Sequence, residues 1–379
     1  MILFKSVKVI NSGKAILLSP KCGAPLRYHS TWLRDNALDV KTRDKKNGQR
    51  LITVSDIPVN TYIKSASLDK KGKEVTINFL PNKKQVKFST NWLKDNAYDN
   101  KQAGSKVWIN PDLKTWSKNS LKRIPIINYK TAKSNKKLLI NWLKSLNSFG
   151  FAKINGCEKK TGTVIKIAKL FGYVRETNYG KYFDVKSKTN AINLAYTNHG
   201  LQAHTDNPYR NPVPTIQILH CIKNSTKGGE TKVIDGFNAA LHLKKKNKKY
   251  FDLLSKYCSR FEFKRKKNIH LKSRFPMIKL SPDRELIAIH FNNRSIAPLT
   301  DVPYNDMLNY YKAYRKFSKI IDDPKMAIKF KLKEGDCFIV DNTRVLHART
   351  AYSGTGSRLL QGCYADKDGL LSKISTNTL

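Results

Sequence analysis

At 379 residues, 40% of them hydrophobic, the chain can bury a large core and reads as one large domain plus a smaller one. No apolar run approaches the roughly 18 residues that cross a bilayer, and the N-terminus MILFKSVKVI lacks the apolar core and cleavage site of a signal peptide; a soluble, cytoplasmic protein is expected, with no membrane partner. Lys and Arg number 72 against 28 Asp and Glu, a net charge of +44, yet the basic runs (KTRDKKNGQR, DKKGKE, LKKKNKK, KRKK) are dispersed and no nucleic-acid-binding motif accompanies them. The charge argues for a general attraction of small anions and against a specific nucleic-acid partner. The six cysteines are scattered with no CxxC pair, which suggests neither a disulfide framework nor a clustered zinc site.

In chain order, EVTINFL (74–80) and KKQVKFS (83–89) alternate with period 2 and read as antiparallel hairpins. HSTWLRDNALD (29–39) and FSTNWLKDNAYD (88–99) echo one another and predict two similar strand-to-turn elements around Trp32 and Trp92. Residues 1–115 are therefore expected to form a small β-rich domain, and 120–379 a second one. Residues 135–149 have helical spacing and end at Gly150, a C-cap, and 162–172 form a shorter helix. Strands then dominate: AINLAYT (191–197), TIQILHC (215–221), ETKVIDG (230–236), 284–291, CFIVDN (337–342) and RLLQGCYAD (358–366), with helices near 238–257 and 304–321. A mainly β fold with flanking helices, a sandwich or jelly-roll barrel, follows.

The chemistry gathers on AHTDNPYR (203–210). In a strand, His204 and Asp206 project from one face and Thr205 turns away. An imidazole and a carboxylate so placed can share a divalent metal with a third ligand, for which His347 in VDNTRVLHARTAY is the candidate. Two histidines and a carboxylate form the facial triad of non-haem Fe(II) oxygenases, with three positions open. Arg358, eleven residues after His347, can grip a distal carboxylate through its planar fork, and Thr231 in GGETKVIDGF can add a hydroxyl. The set is what 2-oxoglutarate needs, since one end chelates iron and the other requires a cation.

The segments HTDNPYRNPVPTIQILHC, KGGETKVIDGF, HFNNRS and VDNTRVLHARTAYSGTGSRLLQGCYADKDGLLS, with WLRDN near the N-terminus, resemble the γ-butyrobetaine hydroxylase branch of the TauD/TfdA dioxygenases. The resemblance implies a double-stranded β-helix (jelly-roll) catalytic domain behind a small β-rich domain, in a homodimer. It implies Fe(II) on His204, Asp206 and His347, 2-oxoglutarate on Arg358 and Thr231, O2 as co-substrate and ascorbate as a candidate reductant. The substrates of this branch carry a trimethylammonium group in an aromatic cage, where ring faces attract the cation. The matching positions are Tyr179, Phe183 and Tyr196, with Tyr182 as a substitute wall, and Asn193, Asn292 and Asn293 for the substrate's anionic end. Two departures stand out. Ala37, Asp39, Thr42 and Lys84 occupy the positions of a structural zinc set, so no zinc is expected, and Asn207 stands where some members have a further cage tyrosine. Conversion of γ-butyrobetaine to L-carnitine is the expected activity, with release of succinate and CO2. Arg294, beside the two asparagines, raises 2-(trimethylamino)ethylphosphonate as a rival substrate, because an arginine suits a doubly charged group. Trimethyllysine is a further alternative, and a non-catalytic quaternary-amine binder is the reading from another class.

Overall fold

Alternating residues with turns between them give antiparallel strands from Phe4 onward. The strands β1 (Phe4–Ile10), β2 (Ala15–Pro20) and β3 (Leu26–His29) make a three-stranded sheet that runs into helix α1 (Ser30–Asp35). The pattern then repeats. The strands β4 (Tyr62–Leu68), β5 (Glu74–Leu80) and β6 (Lys84–Ser89) make a second sheet that runs into α2 (Thr90–Asp95). The computed structural model describes residues 4–99, 112–186, 197–265, 268–352 and 356–377. The chain divides into two compact units, Met1–Pro111 and Asp112–Leu379.

The sequence echo is thus a duplicated meander and helix. The echo segments 29–39 and 88–99 contain no Gly or Pro, and each enters a helical turn after its strand instead of the expected turn. Equivalent side chains point inward in both copies: Tyr28 and Phe88, Leu33 and Leu93, Ala37 and Ala97 are all buried. Trp32 and Trp92 meet with ring centroids 5.7 Å apart. The copies also exchange charges. Arg27 of the first forks onto Asp99 of the second at 2.9 and 2.7 Å, and Lys84 of the second lies 2.9 Å from Asp39 of the first. Lys84 also donates to Thr42 Oγ1 at 2.9 Å, and Thr42 donates to the other Asp39 oxygen at 2.8 Å.

The second unit begins with β7 (Ile126–Asn128), α3 (Tyr129–Ser134), α4 (Lys136–Phe149) and β8 (Phe151–Asn155). Gly150 closes α4 in the left-handed region, as its position predicts. Next come α5 (Thr163–Ala168), β9 (Val174–Arg175), β10 (Phe183–Val185), β11 (Leu201–His204), β12 (Ile216–Asn224) and β13 (Thr231–Asp235). Helices α6 (Gly236–Lys246) and α7 (Lys248–Lys256) replace the single helix expected over 238–257. Asn247 breaks it, because its side chain caps α7 by accepting from the Tyr250 N–H at 3.0 Å. The hairpin β14 (Cys258–Arg265) and β15 (Ile269–Pro276), the pair β16 (Ile278–Leu280) and β17 (Leu286–Ile289), and α8 (Tyr304–Asp322) follow. The chain ends through β18 (Ala327–Phe330), β19 (Cys337–Asp341), β20 (Val345–Arg349), β21 (Arg358–Ala365) and α9 (Lys367–Ser375).

Two sheets organise this unit. The larger runs β10-β21-β12-β19-β8-β7 with β9 on β21, and the smaller β11-β20-β13-β18. Alternation along the strands divides their side chains. Ile216, Ile218, Cys337, Ile339, Cys363 and Ala365 pack outward with α4 and α5, whereas Leu219, Phe338, Val340, Val233, Val345 and Leu360 pack together between the sheets. This is the jelly roll. A buried ion pair bolts it: Arg344 and Asp235 are 1% and 0% exposed and 2.9 Å apart. Arg344 also donates to the carbonyls of Ser148 and Lys114, and Asp235 accepts from the Trp116 N–H. The bolt therefore ties the segment entering the domain to the smaller sheet. Among the described residues, no helix is long and apolar enough to cross a membrane.

Candidate active site

The antiparallel register of β11 and β20 sets His204 directly opposite His347, with ring centroids 4.4 Å apart. Asp206 joins them, and ligand atoms of all three lie within 4.8 Å of one another. The strand stops at His204, however, so pleat alternation does not aim Asp206 as the sequence predicts. Asn342, wholly buried, holds it instead: its Oδ1 accepts from the Asp206 N–H at 2.7 Å and its Nδ2 donates to the Asp206 carbonyl at 2.9 Å. Thr205 does turn away, into hydrogen bonds with the Phe291 backbone.

The carboxylate is oriented from the larger sheet. Gln217 and Tyr364 are cross-strand partners on β12 and β21, and both donate to Asp206 Oδ2, at 2.5 and 2.9 Å. Oδ1 is left facing the imidazoles, 3.3 Å from His204 Nε2 and 4.0 Å from His347 Nε2. His204 Nδ1 lies 2.7 Å from the Gln202 carbonyl, which can only accept, so Nδ1 carries the hydrogen. Burial, then the charge of Arg294, lowers the pKa of His204, and burial, then His204, pushes that of His347 down to about 3. Burial opposes the Asp206 charge, but the two imidazoles and Arg294 hold its carboxyl below the ordinary range. A neutral His204 then presents a nitrogen lone pair to a carboxylate oxygen with no hydrogen between them. A bound cation relieves that repulsion.

Arg358 opens β21 on the same cavity, and it is 8% exposed. Its Nε and Nη1 have no hydrogen-bond partner among the described residues. Burial lowers its pKa and that of Arg349, which is brought to about 10 by burial and by Arg358. Both guanidinium carbons lie over the Tyr352 ring, at 5.3 and 4.9 Å. Thr231 is buried and lines the cavity beside them, opposite Arg349 on the β13–β20 ladder. Buried donors left open on a guanidinium fit an anion.

Residues 119–364 match the family described as taurine catabolism dioxygenase TauD, TfdA family. The chain belongs to this family. It is 31% identical over 363 residues to the γ-butyrobetaine dioxygenase of Homo sapiens, spanning 92% of this chain and 90% of that one. It is 30% identical over 349 residues to the γ-butyrobetaine dioxygenase of Pseudomonas sp. (strain AK-1), spanning 92% and 89%. Against the mitochondrial trimethyllysine dioxygenase of Bos taurus it is 29% identical over 356 residues, spanning 92% and 82%. The protein is an Fe(II)/2-oxoglutarate-dependent dioxygenase. The donor set fits its metal, since two imidazoles and one carboxylate suit Fe(II) and leave coordination positions for a cosubstrate.

In this TauD/TfdA enzyme the cavity has a volume of about 440 Å³ and one aromatic side. Tyr179 and Phe183 line it with ring centroids 5.7 Å apart, and Phe183 meets Tyr364 at 5.3 Å. Phe183 lies flat on β21 because Gly362 is opposite it; a Cβ there would sit 2.5 Å from the Phe183 ring. Tyr182 is exposed and lies outside the lining. Asn193 and Tyr196 fall outside the described residues. Asn292 lines the cavity, but its amide is engaged: it donates to the Thr205 carbonyl and accepts from the Arg294 N–H, both at 3.1 Å. Asn293 alternates to the other side of the chain, where its amide meets Gln202 and Tyr314, so it does not line the cavity. Arg294 does line it. Sequence reasoning missed Gln217, Tyr364, Asn342, Tyr209 and Phe263. For the first two a signal existed: an amide in the buried run IQIL and a tyrosine in GCYA are polar groups among apolar ones, and buried polar groups need partners.

Proposed function

We propose that this dioxygenase hydroxylates a small trimethylammonium carboxylate, γ-butyrobetaine, to L-carnitine. The observation that carries the reading is a single cavity lined by aromatic rings and by Arg294, with His204, Asp206 and His347 on the same lining. The named relatives support the same substrate. His204, Asp206 and His347 would hold the iron, and Arg358 with Thr231 would hold the distal carboxylate of 2-oxoglutarate. Iron with 2-oxoglutarate and O2 supplies the oxidant, with release of succinate and CO2. The chain itself binds and orients. Ring faces of Tyr179, Phe183 and Tyr364 take the quaternary ammonium without a counter-ion, and Arg294 takes the anionic end, which fixes the carbon that faces the metal.

A second substrate, 2-(trimethylamino)ethylphosphonate, is favoured by Arg294 on the lining, since a guanidinium suits a doubly charged group. Trimethyllysine fits less well, because its α-ammonium would approach the same cation. Succinate release, measured with each of the three supplied separately to iron-loaded enzyme, tests the reading. Stimulation by γ-butyrobetaine alone is the expected result. Stimulation by the phosphonate alone replaces the carboxylate reading, and stimulation by none discards the onium cavity.

A further inference from the structure

The β14–β15 hairpin belongs to neither large sheet, yet it reaches the cavity. On β14, Phe261 and Phe263 share a face. Phe261 is 1% exposed and fills core, whereas Phe263 is only partly covered and lines the cavity. Its ring stacks on Tyr209 at 4.9 Å and 19° and faces Tyr179 at 6.1 Å. Tyr209 is fixed in turn. Its hydroxyl donates to Asn207 Oδ1 at 2.5 Å and lies 3.1 Å from the Tyr179 hydroxyl. Asn207 thus spends its side chain anchoring a ring and offers none itself.

The hairpin is also tied to the segment that carries Arg294. The Glu262 N–H donates to the Ser295 carbonyl and the Ala297 N–H to the Arg260 carbonyl, both at 2.8 Å. Ser273 Oγ on β15 donates to the Pro208 carbonyl at 2.5 Å. One short ladder therefore fixes the strand of Phe263 relative to the segment of Arg294.

We propose that Phe263 is a specificity-determining wall of the cation pocket, supplied by the hairpin and held at a set distance from Arg294. The proposal rests on the onium reading given above. It is tested by calorimetric binding to the anaerobic enzyme loaded with iron and 2-oxoglutarate. The ligands are γ-butyrobetaine and 5,5-dimethylhexanoate, in which carbon replaces the charged nitrogen at nearly the same shape. A ring face favours the cation and not its neutral copy, so Phe263→Leu weakens γ-butyrobetaine by about tenfold and the neutral acid by less than about twofold. Phe263→Tyr restores the discrimination, and 2-oxoglutarate affinity is unchanged in both variants, which reports an intact fold. Equal loss for both ligands, or no loss for either, overturns the proposal and leaves the onium reading standing. Wild-type enzyme that binds neither ligand overturns the onium reading and this proposal with it.

Discussion

Gln217 touches no metal-facing atom, yet it decides which oxygen of Asp206 faces the imidazoles. Its amide and the Tyr364 hydroxyl both hold Oδ2. Replacing it by leucine keeps the bulk and removes the donor. Outer partners of this kind contribute about 10–100-fold to metal affinity, so Gln217→Leu is expected to weaken Fe(II) binding in that range while Tyr364 keeps the carboxylate in place. A titration of apoenzyme with Fe(II) under anaerobic conditions measures it, and unchanged affinity contradicts the role. Arg358 makes a separate prediction. Charge-assisted pairs contribute about 1.5–3 kcal/mol, so Arg358→Met should raise the Kd for 2-oxoglutarate by about 10–100-fold, read by calorimetry, and leave iron affinity alone. A variant that loses both equally has lost its fold rather than its clamp.

Among the elements, β20 carries the most. It brings His347 to His204 on one side and stands against Val233 on the other. Its entry is held by the Arg344–Asp235 pair, which has almost no contact with solvent. Breaking a buried pair leaves a charge without compensation at about 3–5 kcal/mol. Arg344→Met should lower the denaturation midpoint accordingly, whereas Asp235 and Arg344 replaced together by apolar residues should recover much of the loss. The elements also show where sequence reasoning stops. Strands with strict alternation, and α4 with its glycine cap, are legible because local spacing dictates them. The helix expected over 238–257 is two, because one side chain, Asn247, competes for a backbone N–H. His204 and His347 are legible as a pair by chemistry, while their placement depends on β11 meeting β20, a long-range register that no local pattern states. Phe263 was invisible for the same reason: it reads as one more strand aromatic until the hairpin meets Tyr209.

For the whole molecule, the net charge of +44 surrounds a cavity whose lining already holds Arg294, Arg349, Arg358 and Lys264. A dianionic cosubstrate is drawn toward such a surface, and salt screens the attraction. Raising ionic strength from about 50 to about 300 mM should lower kcat/KM for 2-oxoglutarate several-fold and leave kcat nearly unchanged. A flat salt profile would show that the surface lysines are only a solvated coat. In the smaller unit, charge does a different job. Asp39 and Asp99 sit at equivalent places in the two copies, and each finds its cation in the opposite copy. A single copy, cut from the other, carries an unmet acid, an unmet base and a bare tryptophan seam, and all three are complemented by a second molecule of the same kind. Expressed alone, residues 1–60 are expected to pair with themselves, so that an interface now closed within one chain reappears as self-recognition between two.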